Sequence, residues 1–387
     1  MYLYILIIFF IVIYLIYKKL INKFWYHQPV YHYWNIPYWF YNKGIIQHKL
    51  PEKNKYCNFT DIVCNSFDKC SDYYKKEFIL LISEHYNKGI YKPTIKYLDV
   101  RMKTIMPSFY SLYLKEVTYK YKDKVVKEKE IIGSMLTNPI IIDIVKNEKT
   151  VNGYYADYLC VHEKHRKKNL AAKIIQTHEH YQRHHNKEVA ISLFKKEGEL
   201  IGIVPICIFK NYFFSLKEWL IIPIVSKEIK LVKTDSQNIY YLYNTIIENK
   251  ELFDILIYRS LESMIELIKE DIFILYMVMR EEEILAVYCF QRYENFIQEK
   301  EIITCNCSIL FSLSKNDFIE YFNNSLYLLC QKYPNIHYLN IENLSNNNLL
   351  INDLLISYKS FEESINAYFF YNYAYQSFIN NKTFIFI

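Results

Sequence analysis

The groups best placed to do chemistry lie between residues 156 and 185. Ala156-Asp157-Tyr158-Leu159-Cys160-Val161-His162 is rich in strand formers. A basic loop follows, Glu163-Lys164-His165-Arg166-Lys167-Lys168-Asn169, and then Leu170-Ala171-Ala172-Lys173-Ile174-Ile175. Ala171, Ile174 and Ile175 fall on one helical face. Strand, basic loop and helix start together make an anion site. First-turn N–H groups have no partner inside a helix, and the macrodipole adds positive potential there. Arg166, Lys167 and Lys168 would add full charges, and the small Ala171 and Ala172 would let a phosphate approach the backbone. A basic surface turn before an ordinary amphipathic helix has the same pattern. His178, His180, His184 and His185 have no ligand-like spacing and read as a helix surface, with no metal site.

These residues need a scaffold. Gly133 to Leu136 and Ala156 to His162 read as extended, and Leu170 to His185 as helical. Such alternation predicts a mixed α/β or α+β fold. The length of 387 residues suits two domains or one large one. Apolar residues make up 52% and charged residues 23%, which excludes a disordered chain. Tyr and Phe are abundant, as in AT-rich genomes, and carry no functional weight by themselves. With Gly at 6, a Rossmann or Walker loop would stand out, and neither is present. The net charge of +6 is dispersed outside His162 to Lys168 and does not argue for nucleic acid. The nine cysteines follow no zinc plan and suit a reducing compartment. Cys305 and Cys307, one residue apart, fit a strand better than a metal clip.

Met1 to Tyr17 contains no charge, Gly or Pro. As a helix it would span roughly 25 Å, the short end of a bilayer crossing. Tyr2, Tyr4, Tyr14 and Tyr17 sit toward its ends, and Lys18, Lys19 and Lys23 follow. The expectation is a single transmembrane anchor over 1–17 with the body cytoplasmic. The alternative is a buried N-terminal element of the fold. A cleaved signal peptide fits less well, for lack of a basic start and a small-residue cleavage site.

Arg166-Lys167-Lys168-Asn169-Leu170-Ala171 resembles the R/Q-x-x-G-x-G/A loop of GNAT-type acyl-CoA N-acyltransferases, with Asn169 and Ala171 in place of glycines. Tyr158 to Ala172 resembles the central signature of eukaryotic N-myristoyltransferases: Phe-Leu-Cys-Val-His, a basic loop ending Ser-Lys-Arg, then Leu/Val-Ala-Pro. Other pieces keep the family's order. Lys23-Phe24-Trp25 with Gln28-Pro29-Val30 resembles its Phe-Trp-x-x-Gln-Pro-Val, and Glu84-His85-Tyr86 its Glu-Asn-Tyr. Gly133 through Pro139 resembles the strand before the signature. Leu339-Asn340-Ile341 and Asn366 through Tyr373 resemble its Phe-Asn-Ala-Leu and Leu-Gln-Tyr-Tyr-Leu-Tyr-Asn-Trp. The matches run collinearly over residues 23 to 387.

The resemblance implies an α+β fold of two pseudo-symmetric GNAT-like halves, placed here at 18–215 for acyl-CoA and 216–387 for peptide. It implies transfer of myristate from myristoyl-CoA, a co-substrate rather than a prosthetic group, to the α-amine of an N-terminal glycine. Lys23, Phe24 and Trp25 would contact the CoA head. Arg166, Lys167, Lys168, Asn169, Leu170, Ala171 and Ala172 would hold its phosphates, with Cys160 and Val161 on the same path. The N–H groups of Tyr158 and Leu159 would form the oxyanion hole. A thioester is already activated, so Cys160 reads as core, not nucleophile. A chain-terminal amine is largely protonated at pH 7 and needs a base. The family uses its own C-terminal carboxylate, here on Ile387. The apolar tail Phe384 to Ile387 could carry that group inside, or could merely pack. Ser192, Asn340 and Asn343 are the peptide candidates. Asn87 to Lys92 replaces an acidic loop, which should weaken a preference for substrate lysine. The implied partners are N-terminal-glycine proteins and a membrane, with no nucleic acid, and the chain is expected to be a monomer. An N-acyltransferase with altered acyl or amine preference, and a non-catalytic acyl-CoA-binding or membrane scaffold, are the alternatives.

Overall fold

The computed structural model describes residues 23–40, 44–86, 89–121, 124–198, 202–217 and 228–387, with Tyr4, Leu6, Phe9, Phe10, Ile13 and Tyr14. The strands in the first part of the chain are β1 (Gly44–Ile45), β2 (Ile62–Ser66), β3 (Phe109–Tyr121), β4 (Lys124–Ile144), β5 (Lys149–Val161), β6 (Ile191–Glu197) and β7 (Cys207–Ser215). Then come β8 (Ile229–Lys233), β9 (Ile255–Tyr258), β10 (Phe273–Arg280), β11 (Glu283–Ile297), β12 (Lys300–Leu310) and β13 (Ile336–Glu342). The last are β14 (Glu362–Tyr371), β15 (Tyr373–Ala374) and β16 (Thr383–Phe386). Their β-branched and aromatic runs explain the strand content: β10 reads FILYMVMR, and its first six residues are buried. Cys305 and Cys307 lie together on β12.

One motif occurs twice. The antiparallel strands β3, β4 and β5 lead into the helix Leu170–His185, and β6 returns parallel to β5. Likewise β10, β11 and β12 lead into the helix Lys315–Lys332, and β13 returns parallel to β12. All strands except β1 and β15, which pair with each other, join one 14-stranded sheet. The two motifs are laced by exchanged strands. From the first part of the chain, β7 pairs with β13; from near its end, β14 fills the place between β6 and β7. The 21-residue β4 is long enough to pair with β3 over one stretch and with β9 over Ile141 to Ile144. The final strand β16 lies parallel to β9 and is buried at all four positions. This is the mixed α+β architecture that the alternation of patterns predicts.

The helix Leu170–His185 packs closely on β4. A Cβ at Gly133 would lie 2.6 Å from Ile174 Cδ1 and 3.2 Å from the Cys160 carbonyl oxygen, so only glycine fits there without movement. His178 is a correction to the sequence reading. It is 2% exposed, on the buried face with Leu170 and Ile174, and not on the helix surface. Most of the expected 1–17 anchor, with Lys18 and Lys19, lies outside the described residues. Its six described residues are exposed. Among the described residues no helix is long and apolar enough to cross a membrane.

Candidate active site

The site is built on a break in the β4–β5 ladder. Ser134 pairs with Cys160 and Leu136 with Asp157, so Tyr158 and Leu159 together face only Met135. Such a bulge leaves the ladder locally unpaired and re-aims the strand. Tyr158 has φ 54°, the left-handed region that a bulky residue rarely occupies. Its surroundings hold it there. The phenol meets Tyr91 Oη at 2.5 Å, Ser134 Oγ donates to its carbonyl at 3.1 Å, and Phe78 packs edge-on to the ring. Leu159, by contrast, is 39% exposed.

The bulge opens on a cavity of about 450 Å³. Trp25, Tyr86, Met135, Ala156, Leu159, Ile175 and Phe194 supply apolar lining. Trp25 stacks on Phe194, which stacks on Phe369. Polar groups also face it. His178 is gripped by Ser111 (2.7 Å) and Thr137 (2.9 Å), and burial pushes its imidazole down to about 4, so it is neutral. Burial pushes the Glu179 carboxyl up to about 7, against the pull of Arg183. Burial alone would lower the Lys195 ammonium, but the carboxylates of Glu342 (2.6 Å), Glu197 and Asp157 together hold the group above its ordinary value.

Beyond the bulge the chain makes the basic loop. Lys167 (φ 62°) and Asn169 (φ 59°) are both left-handed, on either side of Lys168. Left-handed residues alternating with ordinary ones curl main-chain N–H groups into a concave anion nest. Asn169 tolerates this conformation better than most residues, which accounts for its standing where a glycine would otherwise be needed. It immediately precedes the first turn of the helix Leu170–His185. Lys167 and Lys168 are exposed. Arg166 is tied back, its guanidinium donating to the carbonyls of Val161 (3.1 Å) and His85 (2.6 Å).

On the other side a chain of contacts joins the bulge to the last residue. The Tyr158 N–H donates to Asp157 Oδ1 at 2.8 Å, and Arg101 Nη2 donates to Asp157 Oδ2 at 3.3 Å. With the Gln291 amide turned so that its oxygen meets the donor and its nitrogen the acceptors, the oxygen accepts from Arg101 Nη1 at 2.6 Å and the nitrogen donates to the Ile387 main-chain oxygen at 3.2 Å. Burial works against the Arg101 guanidinium, yet the Tyr97 hydroxyl at 3.2 Å and the Asp157 carboxylate hold it protonated. Arg259 donates to the Arg101 carbonyl at 2.9 Å, and burial lowers its own guanidinium to about 9.

The structure gathers the sequence candidates unevenly. Trp25, Tyr158, Leu159 and Ser192 line the cavity, and Ser192 accepts from Gln182 Nε2 at 3.3 Å. Lys23, Phe24 and Trp25 form a short helix, Lys23–Tyr26, with Phe24 edge-on to Trp25 and Tyr56. Cys160 is 3% exposed, its thiol pushed up to about 11 by burial, and it lies beside the cavity rather than on its wall. Val161 and the loop residues Arg166 to Ala172 do not line the cavity. Asn340 donates to Thr304 Oγ1 at 3.4 Å on β13, and the Asn343 N–H donates to the Lys210 carbonyl. Neither faces the cavity. Asp157, Arg101, Gln291, Glu179 and Lys195 were missed as functional candidates. Only Glu179 left a signal, a charge four residues after Ile175 and four before Arg183. Among the described residues no cluster of side chains could hold a metal ion.

No protein-family model matches the sequence, and no curated protein sequence matches it. The fold has clear counterparts. A crystal structure of Saccharomyces cerevisiae N-myristoyltransferase with bound myristoyl-CoA matches with a TM-score of 0.69 at 14% identity, covering 93% of this chain and 94% of that one. A second structure of that yeast enzyme with myristoyl-CoA gives 0.70 at 14% identity, covering 93% and 90%. A third, with myristoyl-CoA and inhibitors, gives 0.69 at 15%, covering 93% and 91%. Over 93% of its length the chain therefore has the fold of yeast N-myristoyltransferase.

Proposed function

We propose that the protein is an N-myristoyltransferase, moving myristate from myristoyl-CoA to the α-amine of an N-terminal glycine. The observation that carries the reading is the Tyr158–Leu159 bulge, which opens on a largely apolar cavity, on a strand that runs on into a basic loop and a helix start. The amine lone pair attacks the thioester carbonyl carbon. Negative charge grows on the carbonyl oxygen, and the Tyr158 and Leu159 amides stabilise it where water is excluded. The C–S bond then breaks and CoA leaves as the thiolate. Because main-chain donors do this work, Tyr158 in place of the family's Phe is no obstacle. The loop Arg166 to Ala172 would hold the CoA phosphates, and Trp25 would border the acyl group.

The carboxylate of Ile387 would be the base, as in the family, and the hydrogen bond from Gln291 to its oxygen supports this reading. The division at 18–215 and 216–387, action as a monomer, and a single-pass anchor at 1–17 with a cytoplasmic body belong to the same proposal. The uncharged run Met1 to Tyr17 followed by Lys18 and Lys19 supports the anchor. Altered acyl preference has one observation in its favour: His178, Glu179 and Thr137 give the cavity polar walls.

The test is an acyl-transfer assay on the full chain in detergent, run across acyl-CoA chain lengths. Gly-initiated peptides should be acylated and the same peptides beginning with Ala spared. Equal acylation of both rejects the glycine-specific reading, and a maximum at another chain length rejects myristate as the preferred acyl group.

A further inference from the structure

We propose that Tyr33, Ile36 and Trp39 form a second membrane contact, seated in the interface of an anionic bilayer. The inference goes beyond the acyl-transfer reading, and depends neither on it nor on an anchor at 1–17. These residues stand on an excursion that leaves and rejoins the body at Asn372. The Asn372 N–H donates to the Pro29 carbonyl at 2.7 Å. Asn372 in turn accepts from the Ile46 N–H on its carbonyl (3.2 Å) and from the Gln47 N–H on Oδ1 (2.7 Å).

One side of the excursion is spent on the body. Val30, Tyr31 and His32 are buried, and the Val204 N–H donates to the Tyr31 carbonyl at 2.7 Å. Trp34 stacks on His32 at 4.2 Å and on Tyr26 at 5.9 Å, and Tyr38 packs edge-on to Tyr31 at 5.6 Å. The other side faces out. The short helix Ile36–Phe40 buries none of its residues; Ile36 is 58% exposed, Trp39 54% and Tyr33 51%. A cluster of large apolar side chains in water marks a contact surface. Tyrosine and tryptophan, each with an apolar ring and a polar handle, suit the boundary between headgroups and hydrocarbon.

Charge identifies the occupant. Lysines are spread along the chain, but acids are not: the first is Glu52. From Lys18 to Lys55 there are seven lysines against that one acid, a surplus equal to the +6 of the whole chain. Residues 56–387 are therefore balanced. Lys49, Lys53 and Lys55 are exposed just past the neck of the excursion. Basic residues beside exposed aromatics fit anionic headgroups, whereas a second copy of this chain would set the same cations against each other. Tyr17 and Lys23 are six residues apart, so a bilayer holding 1–17 passes within about 20 Å of the body here. Trp25 lines the cavity, and the adjoining Tyr26 stacks on Trp34. Seating Trp39 would thus bring that wall of the cavity toward the lipid.

The experiment separates this contact from the anchor. In the full-length chain, Leu6→Asn, Phe9→Asn and Ile13→Asn make 1–17 too polar to insert. Flotation is read with vesicles of phosphatidylcholine alone and of phosphatidylcholine with phosphatidylserine at about 3:1. This parent should bind the anionic vesicles at least about tenfold more tightly than the neutral ones, and the difference should shrink with added salt. Adding Ile36→Ser with Trp39→Ser should weaken anionic binding at least about tenfold, and adding Lys49→Gln, Lys53→Gln and Lys55→Gln should remove most of the preference for the anionic lipid. Undiminished binding by I36S/W39S overturns the proposal, as does equal affinity for the two vesicles. A parent that is a dimer in sedimentation and a monomer with I36S/W39S, at unchanged flotation, assigns the surface to a second copy and also overturns it. Urea midpoints equal to the parent's show that the loss is not one of folding. If they fall, Trp39→Tyr decides: it keeps an interfacial ring and should bind like the parent, and a tenfold loss overturns the contact. Flotation involves no turnover, so failed acyl transfer leaves this proposal standing, and lost binding leaves the transfer reading standing.

Discussion

Glu179 offers a prediction that joins stability to the cavity. Its carboxyl is 7% exposed, lines the cavity, and is raised by burial to about 7, with Arg183 the nearest cation at 3.9 Å. In an unfolded chain the group titrates near 4.3. Between about pH 4 and pH 7 the folded protein therefore keeps a proton that the unfolded chain has lost. Stability falls as pH rises through that window, and all of the loss has accrued above pH 7. At ~1.4 kcal/mol for each pH unit, the loss amounts to roughly 3–4 kcal/mol. Glu179→Gln removes the ionisation and leaves the shape nearly unchanged. Arg183 loses a partner but keeps the carbonyls of Ala190 and His48, which trims the gain. The variant should match wild type within about 1 kcal/mol at pH 5 and exceed it by about 2–3 kcal/mol at pH 8. Urea unfolding followed by tryptophan fluorescence at the two pH values measures this. The affinity of wild type for acyl-CoA should also fall above pH 7, and that of the variant should not. An equal stability difference at both pH values refutes the reasoning, because it places the Glu179 ionisation outside the folding equilibrium.

Removing Ile387 should cut turnover at least about 100-fold while acyl-CoA still binds, since it takes the oxygen held by Gln291 out of the network; full turnover in steady-state kinetics would remove that group from the mechanism. Lys167→Ala with Lys168→Ala should raise KM for acyl-CoA about tenfold with kcat unchanged and flatten the salt dependence, as two exposed charges near a phosphate site would. Tyr158→Phe should keep kcat within about threefold, because the amide is retained, and cost about 1–2 kcal/mol in urea unfolding, because the buried Tyr91 phenol loses its partner.

What the sequence reveals here depends on how local the encoding is. The helix Leu170–His185 follows from its own apolar spacing, and Cys305 and Cys307 share a strand as their alternation suggests. The tail Phe384 to Ile387 is apolar enough to mark an inner strand. The bulge is not written in its residue types. Tyr158 is a good strand former, and what bends it are Ser134 and Tyr91, contributed by other elements. Asp157, Arg101 and Gln291 come from β5, the helix Ile95–Met102 and β11, so only folding makes them neighbours. His178 looks like surface because histidine is polar. It lies inside because Ser111 and Thr137, on β3 and β4, satisfy both ring nitrogens.

The interleaving of β7 and β14 bears on how this protein could be taken apart. A cut after residue 215 leaves the amino-terminal piece with β6 and β7 both lacking β14, and gives the other piece a β14 whose two neighbours are gone. Each fragment then carries bare main-chain groups along a strand rim, which invites sticking to other chains. Split-protein reporters or separately expressed halves would succeed only if both pieces met while still nascent, because each supplies the seam that closes the other.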